Sequence, residues 1–176
     1  MATWAPSLHA YYSEKLGALY TNDPSLDKTF KSSVFASTTY NLGPRTICLP
    51  HKDFANLAFG LCAVTALGRF DPTKGGHLIL WELGLVIEFP PGSTILIPSA
   101  IITHSNTSIL PDETRYSFTQ YAAGGLFRWV DHDFQKAEDF CASRTPEQLK
   151  ELEELKKKRW LFGLSLYPRV PLASTD

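Results

Sequence analysis

Between about Ser33 and Ala122 the chain breaks into short β-type segments, and this interrupted pattern limits the available folds more than any other feature. Val34–Tyr40, Thr46–Pro50, Leu61–Leu67, His77–Trp81, Leu83–Phe89, Thr94–Pro98 and Tyr116–Tyr121 are rich in β-branched and aromatic residues. Asn41-Leu42-Gly43-Pro44, Asp71-Pro72-Thr73-Lys74-Gly75-Gly76 and Pro90-Pro91-Gly92-Ser93 separate them. Gly, Asn, Asp and Pro favour turns for separate steric reasons, and the Pro90-Pro91 pair cannot sit in a central strand because neither residue donates to a ladder. Segments this short, with turns this frequent, close as an antiparallel barrel or a double-sheet jelly roll.

Helical periodicity flanks this region. From Pro6 to Asp27, Leu8, Tyr11, Tyr12, Leu16 and Leu19 recur at spacings of three and four, with Ser7 as a candidate cap. Near the other end, Thr145-Pro146-Glu147-Gln148 has the form of a capping box with Pro in the first turn. Leu149, Leu152 and Leu155 follow as an apolar stripe, and Glu153/Lys157 and Glu154/Lys158 are i,i+4 pairs. The expected fold is mostly β with flanking helices (α+β). A single domain spans 1–176: an N-terminal helical part over 1–32, a β core over 33–132, and a C-terminal helix and tail over 133–176.

Composition narrows the function. Seventeen Lys+Arg against 18 Asp+Glu leave a formal net charge of −1, which argues against a broad basic surface for nucleic acid while leaving a local groove open. Three cysteines, none in a Cys-x-x-Cys pair, argue against a disulfide scaffold or a cysteine zinc site and point to a reducing, intracellular setting. The start Met1-Ala2-Thr3-Trp4-Ala5-Pro6 lacks the charge and apolar run of a secretory leader. No stretch approaches the roughly 18 apolar residues of a membrane span, so no membrane partner is expected. Lys156-Lys157-Lys158-Arg159 suits a solvated helix end, and a nuclear address is the alternative. A monomer is expected. There is no Gly-x-Gly-x-x-Gly, P-loop or Gly-x-Ser-x-Gly to suggest a nucleotide cofactor or an α/β-hydrolase.

The chemistry-bearing candidates centre on five histidines, of which one opens a His-x-Asp triplet, His51-Lys52-Asp53. On extended backbone, residues i and i+2 face the same side, so His51 and Asp53 aim at one point. His104, at the end of the run from Thr94, is the best third donor. Two imidazoles and one carboxylate leave three positions open on an octahedral ion, which suits Fe(II) binding a co-substrate and O₂ together. On its own such a triplet more often marks a hydrogen-bonded structural histidine than a metal ligand. Farther on, Arg115, Ser117, Thr119 and Tyr121 share one face of a strand over Glu113–Tyr121. There Arg115 and Ser117 can hold a carboxylate by a bidentate fork and a hydroxyl; a surface ion pair with Glu113 is the bland alternative. Eleven residues separate His104 from Arg115, enough for one turn and a return along the neighbouring strand. His77 is read as a strand-end structural residue, His132 as part of the mixed-charge turn Asp131-His132-Asp133, and Phe54 and Trp81 as core.

In order and approximate spacing, His51-x-Asp53, distal His104 and Arg115-x-Ser117 resemble the Fe(II)/2-oxoglutarate-dependent dioxygenases. Longer stretches are similar to the fungal TET/JBP-like group: Asn41-Leu42-Gly43-Pro44-Arg45-Thr46, Ala66-Leu67-Gly68-Arg69-Phe70-Asp71, Gly75-Gly76-His77-Leu78-Ile79-Leu80-Trp81 and Phe89-Pro90-Pro91-Gly92-Ser93. Gln120-Tyr121-Ala122-Ala123-Gly124-Gly125-Leu126-Phe127-Arg128-Trp129 belongs with them. The resemblance covers about residues 33–132. It implies a double-stranded β-helix with Fe(II) on His51, Asp53 and His104, and 2-oxoglutarate on Arg115 and Ser117. Arg45, by its place after Gly43-Pro44, is a candidate toward the co-substrate or a phosphate, with a structural ion pair as the equal alternative. The implied reaction oxidises a methylated base, 5-methylcytosine or N6-methyladenine, while 2-oxoglutarate becomes succinate and CO₂. Asn56 is the implied base contact. The group's base-contacting His after the Arg has no counterpart, since Ala122, Ala123 and Gly124 stand there. A nucleic-acid partner, single-stranded or distorted, is therefore expected. A protein side chain or small metabolite as substrate, and an inactive jelly-roll binding module, are the alternatives.

Overall fold

The computed structural model describes residues 1–169; the end of the expected C-terminal tail, 170–176, lies outside the described residues. The described residues form two compact units, Leu26–Arg128, and Met1–Ser25 together with the residues from Trp129 onward.

The Leu26–Arg128 unit holds seven strands: β1 (Ser37–Asn41), β2 (Cys62–Arg69), β3 (Leu78–Leu80), β4 (Leu85–Ile87), β5 (Thr94–Ile97), β6 (His104–Asn106) and β7 (Thr114–Tyr121). They form two antiparallel sheets with orders β1-β7-β2-β5 and β4-β3-β6. After β2 the chain crosses to the smaller sheet, and from β4 onward every connection changes sheet. That interleaving is the topology of a double-stranded β-helix, or jelly roll. The expected strand Thr46–Pro50 does not form as such. Its segment lies beside β6 through the His51↔His104 bridge and the Asn106 N–H to Cys48 carbonyl bond (3.3 Å), and it also bridges Arg45 to Arg115. Pro50 has no N–H to give a ladder there, and Ile47 and Leu49 are exposed.

Between the sheets, Cys62, Ala66, Phe70, Leu78, Leu80, Phe89 and Ile97 make one buried apolar cluster, with Val64, Ile87 and Ile95 packed against it. Each large side chain so buried contributes about 1.5–3 kcal/mol. Two expectations about the core fail. Phe54 is 84% exposed and Trp81 52% exposed. Phe54 follows Asp53 in a tight turn, and the Trp81 indole lies outward with its Nε1–H donating to Ser105 Oγ (3.0 Å).

The other unit is helical. Helix α1 (Pro6–Asn22) buries Leu8, Tyr12, Leu16 and Leu19, as the spacing implies, but it ends before Asp27, and its cap position is Ala5 rather than Ser7. Pro6 itself occupies the first helical turn, where its missing N–H costs nothing. Helix α2 (Gly124–Asp131) begins within the Leu26–Arg128 unit and ends past it, and α3 (Ala137–Ala142) lies in the helical unit. In α4 (Pro146–Ser165) the Thr145/Gln148 capping box is present in both directions. Its ion pairs run i,i+3, Glu153 to Lys156 and Glu154 to Lys157, instead of the expected i,i+4. Its leucine stripe is also less buried than expected, since Leu149 and Leu155 are both exposed. Among the described residues no helix is long and apolar enough to cross a membrane.

Candidate metal and anion site

A cavity of about 410 Å³ opens inside the jelly roll. At one end His51, Asp53 and His104 bring their donor atoms within 4.8 Å of one another. The His51 Nε2 lies 3.6 Å from one Asp53 oxygen and the His104 Nε2 4.0 Å from the other. Both distances exceed a hydrogen bond, so the three donors face a common centre without consuming one another.

The backbone explains why they converge. His51 and His104 exchange both main-chain hydrogen bonds (3.1 and 3.0 Å), which sets their rings side by side at 4.3 Å. The His51 Nδ1 lies 2.7 Å from the Leu49 carbonyl, and the His104 Nδ1 3.0 Å from the Ile102 carbonyl. A carbonyl only accepts, so in each neutral ring the proton sits on Nδ1 and the Nε2 lone pair faces the centre. Asp53 is held by its N–H donating to the Ser99 carbonyl (2.9 Å) and by the Asn56 amide donating to its Oδ2 (3.3 Å). The same Asn56 nitrogen donates to the buried Ser99 hydroxyl (3.1 Å). Asn56, expected as a base contact, therefore lines the cavity and also steadies the carboxylate.

Behind this turn, Glu82 accepts from Lys52 Nζ (2.9 Å) and from the Thr103 hydroxyl and N–H (2.7 Å each). Lys52 first and Thr103 second hold the Glu82 carboxyl at about 2, well below the ordinary carboxylate range.

The far wall belongs to the larger sheet. Arg115, Ser117, Thr119 and Tyr121 of β7 all line the cavity, as their alternation implies, together with Thr39 and Asn41 of β1. Ser117 Oγ accepts from the Asn41 amide (2.7 Å), which leaves its own O–H free to donate. Arg115 is 2% exposed. Its Nη1 donates to the Thr46 carbonyl (3.3 Å), while its Nε is buried without a partner. Glu113 does not neutralise it, because that carboxylate accepts from the Asp71 and Leu110 N–H groups (2.7 and 2.8 Å). Burial pulls the Arg115 pKa below its usual value, with the nearby Cys48 opposing the shift. A buried cation with an unused donor, in a cavity, is a place prepared for an anion.

Two placements differ from expectation. His104 lies on its own short strand, β6, in the sheet opposite β7, so His104 and Arg115 are not on neighbouring strands. Arg45 is exposed and absent from the cavity lining; it meets Arg115 through the backbone only. Sequence reasoning also passed over Cys48, Asn41 and Asn106. Asn106 is buried and ties Cys48 N–H (2.8 Å) to the Thr46 and Thr107 carbonyls. Its signal was its position two residues after His104, on the same face. Burial raises the Cys48 thiol pKa, and the Arg115 charge pulls it back down.

No family model matches the chain, and no curated protein matches it. Solved structures do. NgTET1 in complex with 5mC DNA is similar over 69% of this chain and 49% of its own, at 22% identity and a TM-score of 0.47. The chain thus spans about half the length of that protein. The viral collagen prolyl hydroxylase vCPH from Paramecium Bursaria Chlorella virus-1, in a 2OG complex, is similar over 61% of this chain and 68% of its own, at 11% identity and a TM-score of 0.35.

Proposed function

We propose that the chain is an Fe(II)/2-oxoglutarate-dependent dioxygenase that oxidises a methylated nucleobase, 5-methylcytosine or N6-methyladenine, in DNA or RNA. One observation carries the reading: a single cavity pairs a His-Asp-His donor cluster with a buried arginine that lacks a counter-ion among the described residues. The donor set fits Fe(II), since neutral imidazole and carboxylate suit that ion and three ligands leave positions open. The unpaired Arg115 Nε fits the distal carboxylate of a dicarboxylic co-substrate.

The geometry supports the following roles. His51, Asp53 and His104 hold the ion, and Asn56 and Ser99 keep the carboxylate turned toward it. Arg115 and the free Ser117 O–H anchor 2-oxoglutarate and so fix which end meets the metal. Bound iron supplies the O₂ activation that couples conversion of 2-oxoglutarate to succinate and CO₂ with hydroxylation of a substrate C–H bond. At the cavity mouth the exposed Phe54 ring offers an apolar plane beside Asp53, the kind of surface on which an unstacked base stacks. Asn56 adds a hydrogen-bonding edge.

Base extrusion from a duplex costs a few kcal/mol, and a chain of net charge −1 has few phosphate contacts to offset it. Single-stranded or distorted nucleic acid is therefore the preferred partner. The chain acts as an intracellular monomer in this reading, and Lys156–Arg159 is the solvated end of α4, with a nuclear address as the alternative.

The test is incubation with Fe(II), ascorbate, 2-oxoglutarate and oligonucleotides carrying 5-methylcytosine, N6-methyladenine or thymine, single- and double-stranded, with succinate and bases measured by mass spectrometry. The expected result is an oxidised or demethylated base with matching succinate, more from single strands. Succinate without any base product moves the substrate to a protein side chain or small metabolite. Neither product moves the chain to a binding module.

A further inference from the structure

The three metal donors sit on two backbone arms, residues 51–53 and 103–104, and one side chain outside the cavity touches both. Alternation along the first arm turns His51 and Asp53 inward and sends Lys52 to the opposite side. Lys52 Nζ meets Glu82 Oε1 at 2.9 Å. On the second arm, Thr103 immediately precedes His104 and gives Glu82 two bonds of 2.7 Å, hydroxyl to Oε1 and N–H to Oε2. Glu82 reaches this place from a 3₁₀ turn, Trp81–Leu83, which directly follows β3 and is closed by Gly84 in left-handed conformation. Trp81 holds the turn to the second arm, its N–H on the Thr103 carbonyl (3.0 Å) and its indole on Ser105.

We propose that Glu82 is a positioning residue that clasps the Lys52 arm to the Thr103 arm and so sets the metal affinity of His51, Asp53 and His104. This rests on the metal-binding reading above. An isolated exposed ion pair is worth little. This carboxylate takes three charge-assisted bonds, and they join residues adjacent in sequence to each of the three donors. Released from Glu82, the Lys52 arm keeps the His51 backbone pairing and the Asp53 N–H bond to Ser99, but loses its side-chain tie to the Thr103 arm. The donors then spread, and the ion is held less tightly. Lys52, the unspecified position of the His-x-Asp triplet, thereby gains a role of its own.

The experiment titrates Co(II) into metal-free protein and reads the dissociation constant by calorimetry and the ligand-field absorbance bands, for wild type, Lys52→Met, Glu82→Gln and the double variant. Each single variant is expected to weaken Co(II) by roughly 10-fold, the lower end for partners outside the ligand set, and to alter the absorbance bands. The double variant loses no more than either single, because both changes open one clasp. Metal-free melting temperatures stay close to wild type. Lys52→Met leaves every Thr103 bond intact, so the inference is tested even where Glu82→Gln disturbs the turn. Co(II) binding within twofold of wild type in Lys52→Met and Glu82→Gln, or losses that add in the double variant, overturns the clasp alone. Failure of the wild type to bind Co(II) overturns the metal-binding reading and the clasp with it.

Discussion

At the scale of single residues, Arg115 is the side chain whose environment asks most for a ligand. It is buried, carries no acidic partner, and leaves Nε unsatisfied, which makes the ligand-free protein less stable than an apolar isostere would. Arg115→Met is therefore expected to raise the stability of the ligand-free protein by about 1–3 kcal/mol, read as a shifted urea midpoint. The same change is expected to weaken 2-oxoglutarate by more than about 100-fold, the scale of a broken buried pair. Loss of stability together with unchanged 2-oxoglutarate affinity would contradict its role. Arg115, Ser117, Thr119 and Tyr121 were legible because strand alternation is strict and all four carry polar groups on one face. Cys48 and Asn41 were not, since each meets the cavity through neighbours far away in sequence. Phe54 and Trp81 misled for the opposite reason: large aromatic rings are usually buried, and here a turn and an indole hydrogen bond hold them outward.

At the scale of elements, β7 carries the proposed anion-binding face, and its seat against β2 depends on one glycine. Gly68 pairs with Arg115, has φ of +117°, and a Cβ there would stand 2.3 Å from the Thr114 carbonyl oxygen. Gly68→Ala must either move β7 or strain β2, at a cost on the order of 1–3 kcal/mol. Because the shift falls at Arg115, 2-oxoglutarate affinity is expected to fall along with the melting temperature, whereas Co(II) affinity at the His-Asp-His end changes little. Calorimetry with each ligand separates the two; an equal loss of both would mean that Gly68 acts on the whole barrel. The strands rich in Val, Ile, Leu and Thr were readable from composition. The three-residue β6, His104-Ser105-Asn106, was not, because its polar residues carry no β signal and it forms through pairing with Leu78–Leu80. Missing it is what placed His104 beside β7 instead of across the cavity.

At the scale of the whole molecule, the interleaved sheets explain why residues so far apart in sequence share one cavity. The smaller sheet and the segment beside it bring His51, Asp53 and His104 to one end, and the larger sheet brings Arg115 and Ser117 to the facing wall. The architecture was legible because turn residues punctuate the chain at short intervals; the order of strands was not, since strand pairing is a tertiary choice. The central claim is that the three donors hold one metal ion. Its most direct measurement is anaerobic calorimetric titration of Fe(II) into metal-free wild type, His51→Ala, Asp53→Ala and His104→Ala, with circular dichroism confirming that each variant is folded. The wild type is expected to bind one equivalent, and every variant to lose more than the roughly 10–100-fold that removing an outer partner costs. Wild-type stoichiometry and affinity in all three folded variants would contradict it.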